Sequence, residues 1–241
     1  MNSKLNDITK QFYDSHIEVW PQNSRWYRYT IESINNYVYT EYTKMARKIK
    51  NPLILNAGSG GSTYKIKCDM WHVDISPKKI ENFKHHKTCS IENMPFKDNT
   101  FDLCICVGSI INYCDPISAI NELIRCIKPS GKLILEFESS VTGELFFDKL
   151  FGKNVSLFTS NYLNSSHSEW LYNPKYIIQI LKKHDGKISN IRRFHLLSSM
   201  FLPLLGEEHA YILSKSDFIF NHIPFLNKIS SNVIITFSKG C

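Results

Sequence analysis

Short apolar runs alternate along this chain with segments in which apolar residues recur at helical spacing. Short apolar runs are typical of buried strands. They predict strands at residues 53–55, 71–73, 101–107, 132–137, 188–195 and 233–237. The helical spacing, with Ser-Pro and Asp-Pro start signals, predicts helices at residues 30–49, 78–83, 116–127 and 174–183, and the KPSG motif at 128–131 predicts a turn.

Strands that alternate with helices indicate an α/β protein whose parallel sheet is covered by helices on both faces. Such sheets bind ligands beyond the carboxyl ends of their strands. The candidate site residues are therefore those that directly follow Leu55, Val73, Val107 and Phe137.

The composition is that of an ordinary globular protein. The 241 residues are 43% hydrophobic and 21% charged, and the net charge of +7 comes from basic residues that are scattered rather than gathered in runs. This favours a solvated basic surface, with a nucleic-acid or anionic-substrate face as the alternative. The seven cysteines form no CxxC pair and the chain starts without an apolar leader, so we expect a cytoplasmic protein. We also expect no metal site and no membrane span.

A glycine-rich loop, NAGSGGS at residues 56–62, directly follows the first predicted strand. Glycine permits a tight turn and lets a ligand approach the backbone closely. Asp74 ends the second predicted strand, where a carboxylate can accept hydrogen bonds from the two hydroxyls of a ribose. Strand, loop and acid in this order indicate a nucleotide-type ligand.

Residues 50–140 resemble the class I S-adenosylmethionine-dependent methyltransferases, in the branch with a methyltransferase-11-type domain. The resemblance is carried, in order, by LILNAGSGG, HVDIS, SIENMPFKDNTFDLCICVGSIINY and AINELIRCIKPSGKLILEFE. It implies a Rossmann-like α/β fold: a seven-stranded, mostly parallel sheet sandwiched by helices, with the last strand antiparallel. It also implies an N-terminal helical arm and a helical insertion before the last strand.

The chain then reads as one domain, residues 1–241. Its parts are an N-terminal helical arm at 1–50, a cofactor-binding core at 51–140, and an acceptor-side half at 141–241 that contains a lid and the insertion.

The resemblance also implies S-adenosylmethionine as the cofactor and indicates which residues hold it. The glycine loop would face the methionine part, Asp74 the ribose and Ile75 the adenine. Asn56 replaces the usual acidic residue of the first motif, and Ser90 replaces the aspartate that usually accepts from the adenine amino group. Only 14 positions separate Gly60 from Asp74, so the helix between them should be short or absent. The full set of expected cofactor residues is Asn56, Ala57, Gly58, Ser59, Gly60, Asp74, Ile75, Ser90, Ile91, Glu92, Val107, Gly108 and Ser109.

The acceptor side is less specific. No DPPY or NPPY motif follows the fourth core strand. In the resembled family this motif marks methylation of amino groups of bases or of glutamine amides, so its absence argues against methylation of DNA bases. Tyr113, Glu138 and His167 are candidate catalytic residues, and each could instead have a packing, capping or surface role. Tyr113, Trp170 and His209 are candidate substrate contacts. Arg25 or Arg28 in the arm could meet the cofactor carboxylate.

We therefore expect an enzyme that transfers a methyl group from S-adenosylmethionine to an oxygen or nitrogen of a small molecule, such as a sugar or another metabolite. The alternatives are a protein or RNA methyltransferase, and a non-catalytic module that binds the cofactor. Nucleic acid is the less expected partner, and the sequence does not indicate an oligomeric state.

Overall fold

Strands of the main sheet and the helices around it follow the predicted alternation. A computed structural model describes residues 10–15, 24–162, 165–223 and 226–241. The strands are β1 (Ile54–Ala57), β2 (Met70–Asp74), β3 (His86–Thr88), β4 (Phe101–Cys106), β5 (Ile127–Glu138), β6 (Val155–Tyr162), β7 (Ser165–Tyr172), β8 (Gly186–Phe194) and β9 (Asn232–Lys239). The helices are α1 (Arg25–Ala46), α2 (Pro77–Ile80), α3 (Pro116–Cys126), α4 (Pro174–Leu181), α5 (Leu197–Ser214) and α6 (Asp217–Phe220), with 3₁₀ turns at Ile110–Tyr113, Gly143–Leu145 and Leu226–Lys228.

Seven strands form one sheet in the order β3-β2-β1-β4-β5-β9-β8. Every neighbouring pair is parallel except those that involve β9, which runs antiparallel to β5 and to β8. The predicted seven-stranded sheet with an antiparallel last strand is confirmed. Because β1, β2, β4 and β5 are parallel, their carboxyl ends meet at one edge of the sheet.

Helices cover both faces of this sheet, as the alternation predicts. On one face, buried side chains of α3 and α4, among them Ile120, Leu123 and Ile177, pack on Leu55 and Leu133. On the other face, the core contains residues of α1 together with alternate residues of the strands: Ile34, Tyr37, Val38 and Met45 with Ile54, Leu103 and Ile134. Each central strand is thus buried on both faces, which explains its continuous apolar sequence.

The chain between β1 and β2 forms turns and contains no helix, as the short spacing predicts. The KPSG motif at residues 128–131 lies within β5 as a bulge, and the predicted turn is wrong in this respect. Phe101 pairs with Ile127 while Leu103 pairs with Lys132, so the intervening residues loop out of register, with Ser130 at φ 63°.

Two features differ from the sequence predictions more strongly. The segment expected as a lid contains the β6–β7 hairpin, an antiparallel pair outside the main sheet. The insertion before β9 is helical as predicted, but α5 continues through Pro203 and is broken at Gly206, where φ is 68° and ψ 169°. Only glycine adopts that conformation readily.

The insertion is tied to α1 by a buried histidine. The ring of His195 stacks on Trp26 with centroids 3.7 Å apart, and its Nε2 lies 2.7 Å from Oγ1 of Thr30. The backbone N–H of His195 donates to Asp217 of α6 over 2.7 Å. No helix among the described residues is long and apolar enough to cross a bilayer.

Candidate active site

A cavity of about 570 Å³ opens at the carboxyl ends of β1, β2, β4 and β5. Its floor is formed by the loops that follow these strands. Its walls come from α1, from residues 10–15, from the β6–β7 hairpin and from α5. The cavity therefore lies where ligands bind in doubly wound sheets.

The glycine loop after β1 is fastened to the end of β2. The backbone N–H groups of Gly58 and Ser59 both donate to the carbonyl of Val73 over 2.8 Å, and that of Gly60 donates to Oδ2 of Asp74 over 2.8 Å. Gly58 and Gly60 have φ values of 70° and 52°. Such values favour glycine, so the loop sequence and the loop shape agree.

Asn56 and Ala57 stand behind this loop and do not line the cavity. The Asn56 amide donates to the carbonyl of Ser62 over 2.8 Å and to Oγ of Ser59 over 3.2 Å. Ser59 in turn lies 2.7 Å from Nδ1 of His72, whose pKa burial lowers to about 4. Asn56 thus holds the loop from inside by donating hydrogen bonds to neutral groups. An amide can donate in this way and an ionised carboxylate cannot.

Asp74 is 9% exposed and lines the cavity. Its Oδ1 accepts the backbone N–H of Ser76 over 2.9 Å, while Oδ2 accepts that of Gly60. Burial raises the pKa of Asp74, and these N–H groups and Lys79 oppose the rise. Each carboxylate oxygen keeps a further lone pair, so Asp74 can still accept from a ligand.

Ile75, Ser90 and Ile91 line the same end of the cavity, whereas Glu92 does not. Oε1 of Glu92 accepts the backbone N–H of Asp115 over 2.6 Å, at the start of α3. Glu92 therefore links the β3–β4 connection to α3, and its predicted cofactor contact has no support from its position.

Val107, Gly108 and Ser109 line the cavity where β4 ends. Their loop is held by Glu136, which is fully buried in β5: Oε2 accepts the N–H groups of Gly108 and Ser109 over 2.8 and 2.7 Å. Oε1 of Glu136 accepts the amide of Asn232 over 2.8 Å. Glu136 is not among the candidate residues predicted from the sequence, although a carboxylate inside an otherwise apolar strand was the available signal.

These residues fit S-adenosylmethionine. The cavity presents a carboxylate at the end of β2, the apolar side chains of Ile75 and Ile91 nearby, and the glycine loop. Gly60 lines the cavity, and a Cβ added to it would meet no protein atom within 4 Å. Because glycine has no Cβ, this space is free for ligand atoms.

The three candidate catalytic residues meet at the other end of the cavity. The Tyr113 hydroxyl lies 2.7 Å from Nε2 of His167, and Oγ of Ser109 donates to Oε1 of Glu138 over 3.1 Å. Residues 10–15 form a short helical segment over this end. Its Phe12 and Tyr13 contact His167 and Tyr113 with ring centroids 4.6 and 5.8 Å apart. The catalytic roles of Tyr113, Glu138 and His167 stay predictions.

Two carboxyl groups that the sequence analysis did not select lie beside Glu138. Glu169 of the hairpin is 7% exposed, and Glu144 lies in the 3₁₀ turn after β5; both line the cavity. Burial raises the pKa of all three carboxyl groups, and repulsion from neighbouring carboxylates, among them Glu136 and Glu207, adds to the rise. For Glu169 the pKa is about 7. Among the described residues no group of three or more His, Cys, Asp and Glu side chains is placed to hold a metal ion.

Trp170 and His209 do not line the cavity, so their predicted substrate contacts have no support from their positions. Trp170 packs against the main core, because neighbouring residues of a strand face opposite sides and Glu169 faces the cavity. His209 is exposed on α5, after the kink. Arg25 is also exposed and pairs with Glu208 at 3.4 Å, and Arg28 lines a separate cavity, so neither arginine reaches the glycine loop.

Residues 54–135 match the sequence model of a family described as a methyltransferase domain. A protein of uncharacterised function from Methanocaldococcus jannaschii is 32% identical over 162 residues, which are 61% of this chain and 70% of that protein. The tRNA U34 carboxymethyltransferase of Nautilia profundicola is 22% identical over 170 residues, which are 56% of this chain and 55% of that enzyme. The match thus spans about half of this second relative.

The fold is similar to that of 1,6-didemethyltoxoflavin-N1-methyltransferase from Burkholderia thailandensis. That crystal structure contains 1,6-didemethyltoxoflavin and S-adenosylhomocysteine. The TM-score is 0.59 at 10% identity, and the alignment covers 98% of this chain and 88% of the other.

Proposed function

Because this chain belongs to the class I S-adenosylmethionine-dependent methyltransferases, we propose that it transfers the methyl group of S-adenosylmethionine to an oxygen or nitrogen of a small molecule. One observation carries this proposal: a single cavity joins the glycine loop and Asp74 to a polar end that contains Tyr113 and His167.

The size and the walls of the cavity favour a small acceptor. About 570 Å³ is within the range of about 300–1,000 Å³ that is usual for small-ligand pockets. The acceptor end is covered by residues 10–15, by the hairpin and by α5. An extended polymer substrate would need a more open groove.

S-adenosylmethionine, when bound, supplies a methyl group on a positively charged sulfur and needs no further activation. The protein then has to align the acceptor and exclude water. In this proposal Gly58, Ser59 and Gly60 hold the methionine part, Asp74 accepts from the ribose, and Ile75 and Ile91 enclose the adenine. Val107, Gly108 and Ser109 border the reacting centre, since they lie between the cofactor end and Tyr113.

A second candidate function is methylation of RNA. The relative from Nautilia profundicola is named a tRNA enzyme. In addition, a separate cavity of about 330 Å³ is lined by three basic residues, two tyrosines and one acid: Arg25, Arg28, Lys215, Tyr29, Tyr211 and Glu32. Basic groups interleaved with aromatic rings suit a nucleic-acid strand. Binding of tRNA that weakens steeply with salt would favour this candidate.

The cofactor assignment is tested by isothermal titration calorimetry with S-adenosylmethionine and S-adenosylhomocysteine. We expect Asp74→Asn to weaken both by about tenfold or more, since a charge-assisted hydrogen bond is lost. Asp69→Asn is the matched control, because Asp69 is 76% exposed and pairs only loosely with Lys84 at 3.5 Å. Equal affinities in Asp74→Asn and the wild type would contradict the ribose assignment. Release of S-adenosylhomocysteine with small-molecule or tRNA acceptors then separates the two candidate functions.

A further inference from the structure

The acceptor end of the cavity is lined by acidic side chains from four different elements. They are Glu138 of β5, Glu144 of the following 3₁₀ turn, Glu169 of β7 and Glu207 of α5. Among the described residues that line the cavity, the one lysine is Lys79 and there is no arginine. Lys79 lies close enough to Asp74 to lower its pKa, and so belongs to the cofactor end. Among the described residues, the acceptor end therefore gathers four carboxyl groups and no lysine or arginine.

Glu169 differs from the buried carboxylates that have a structural role. Glu136 accepts two backbone N–H groups and an amide, and it does not line the cavity. Within the described part of the chain, Glu169 has neither a backbone N–H donor nor a Lys or Arg partner, and its hydrogen bonds involve Glu138 and Tyr113. Burying such a group is costly unless something in the cavity compensates its charge.

The remaining walls of this end suit a cation as well. The rings of Tyr13, Tyr113 and Phe158 line it, and aromatic faces attract organic cations. This is a feature of the cavity that does not depend on the carboxyl groups. The cavity also continues to the glycine loop, so a cation held here would lie on the acceptor side of the methyl donor.

From these contacts we infer that the acceptor is an amine that enters in its protonated form, and that Glu169 takes its proton before methyl transfer. The inference rests on the proposed function and adds the chemical class of the acceptor. It makes Glu169 the base, with Glu138 and Tyr113 as the groups that position its carboxylate.

An ammonium nitrogen has no free electron pair, so one N–H bond must first break and its proton moves to a Glu169 oxygen. The nitrogen pair then forms the new N–C bond while the C–S bond breaks and its pair returns to sulfur. The products are a methylated ammonium ion, a neutral thioether and a protonated Glu169, which returns its proton to water.

The surroundings of Glu169 bring its pKa close to neutral pH, where a base can act. Glu136 of β5 and Glu144 of the 3₁₀ turn face it with negative charge, which raises its pKa, and hydrogen bonds with Glu138 and Tyr113 lower it. His167 follows the same side of β7 and stays neutral, because burial lowers its pKa. Burial of Glu169 is the largest cause that raises its pKa to about 7. A base with a pKa near neutrality is efficient at physiological pH.

Binding to the protein loaded with S-adenosylhomocysteine tests the inference without turnover. The probes are a panel of primary, secondary and tertiary amines, with benzylamine as the first member, each paired with its matched alcohol and carboxylic acid. We expect calorimetry at pH 7.5 to show binding of one or more amines and at least tenfold weaker binding of the matched alcohol. Failure of every amine to bind, or equal binding of the alcohols, would overturn the inference.

Glu169→Gln keeps the shape of the side chain and removes its charge. We expect at least a tenfold loss of amine affinity in this variant, with unchanged affinity for S-adenosylhomocysteine as the sign that it is folded. Glu81→Gln is the matched control, since Glu81 is exposed beside α2. Equal amine affinity in Glu169→Gln and in the control would contradict the role proposed for Glu169.

The pH profile distinguishes a base from a merely structural residue. In the wild type we expect kcat/KM for an amine to fall as the pH drops below about 7. In Glu169→Gln only the neutral amine can react, so the fall should begin at the higher pKa of that amine in solution, and Glu169→Asp should restore part of the wild-type profile. If the protein binds S-adenosylmethionine and methylates only alcohols, phenols or carbon acids, this inference fails and the methyltransferase assignment stands. If no acceptor class yields S-adenosylhomocysteine, the proposed function fails with it.

Discussion

The hydroxyl of Tyr113 lies 2.7 Å from Nε2 of His167. The first residue ends a 3₁₀ turn after β4, and the second lies on the β6–β7 hairpin, 54 positions later. Burial raises the pKa of Tyr113 and lowers that of His167, so both side chains stay neutral at pH 7. The pair is therefore suited to orient groups in the acceptor end, whereas Tyr113 is a poor base.

Tyr113→Phe should raise the pKa of Glu169. The variant keeps the ring and removes a hydrogen bond that lowers the pKa of that carboxyl group. Carbon-13 NMR of labelled glutamate side chains should show the Glu169 titration, at about pH 7 in the wild type, move to higher pH. Tyr39→Phe is the control, because Tyr39 is 47% exposed on α1. A titration that does not move would show that Tyr113 leaves Glu169 unaffected.

Gly58→Ala should destabilise the protein more than Gly60→Ala. Both positions have positive φ, which costs an alanine about 1–2 kcal/mol. At Gly58 the new methyl group would also lie 2.3 Å from Cγ2 of Ile110, whereas at Gly60 it meets nothing within 4 Å. Overpacking adds about 1–3 kcal/mol, measurable by urea unfolding. Ile110→Ala should restore part of the loss in Gly58→Ala, and an equal loss in both single variants would rule out the clash.

Glu136→Gln should cost the protein little stability, whereas Glu136→Ala should cost much more. The glutamine oxygen can accept the N–H groups of Gly108 and Ser109, while its amide donates to a flipped Asn232, so little stability is lost. Alanine leaves these buried donors without an acceptor, which costs about 1–3 kcal/mol for each unsatisfied group. It should also weaken binding of S-adenosylhomocysteine, because the loop after β4 lines the cavity. Urea unfolding and calorimetry measure the two effects, and a stable, tightly binding Glu136→Ala would contradict this view of the loop.

His195 should make the fold sensitive to acid. Its pKa is lowered by burial to about 3 in the folded protein and is about 6.5 when unfolded. The unfolded state thus binds more protons between these values, and the free energy of unfolding falls as the pH drops below about 6.5.

Replacing this group with a neutral amide isolates its contribution from that of the carboxyl groups. Between pH 6.5 and 4.5, His195→Gln should lose on the order of 2 kcal/mol less stability than the wild type loses. His209→Gln, at an exposed position, should follow the wild type. Unfolding in urea across this range gives the difference, and parallel curves for His195→Gln and the wild type would contradict the prediction.

The sheet could be predicted because its central strands are buried on both faces. β1, β4 and β5 show this as apolar runs, and the glycine loop and Asp74 mark the ends of β1 and β2. β3 could not be found in this way, because His86–Thr88 is a short, fully exposed edge strand with no apolar residue. Propensity and pattern carry little information for such a strand.

The acceptor end was harder to predict for a related reason. Polar side chains that face a cavity have the same sequence pattern as side chains that face solvent. His167 and Glu169 of the hairpin alternate with Ser168 and Trp170 in a segment that reads equally well as an exposed loop. Only the antiparallel pairing with β6 shows which of these side chains turn toward Glu138.

The break in α5 at Gly206 has an evolutionary corollary. Directly after it, Glu207 accepts the Ser24 hydroxyl over 2.6 Å and borders the cavity. A residue with a Cβ at position 206 would not adopt φ 68° and ψ 169° readily, so the placement of Glu207 against Ser24 depends on glycine there. Among homologues of this chain, glycine at position 206 should therefore accompany a glutamate at position 207 that contacts the N-terminal arm.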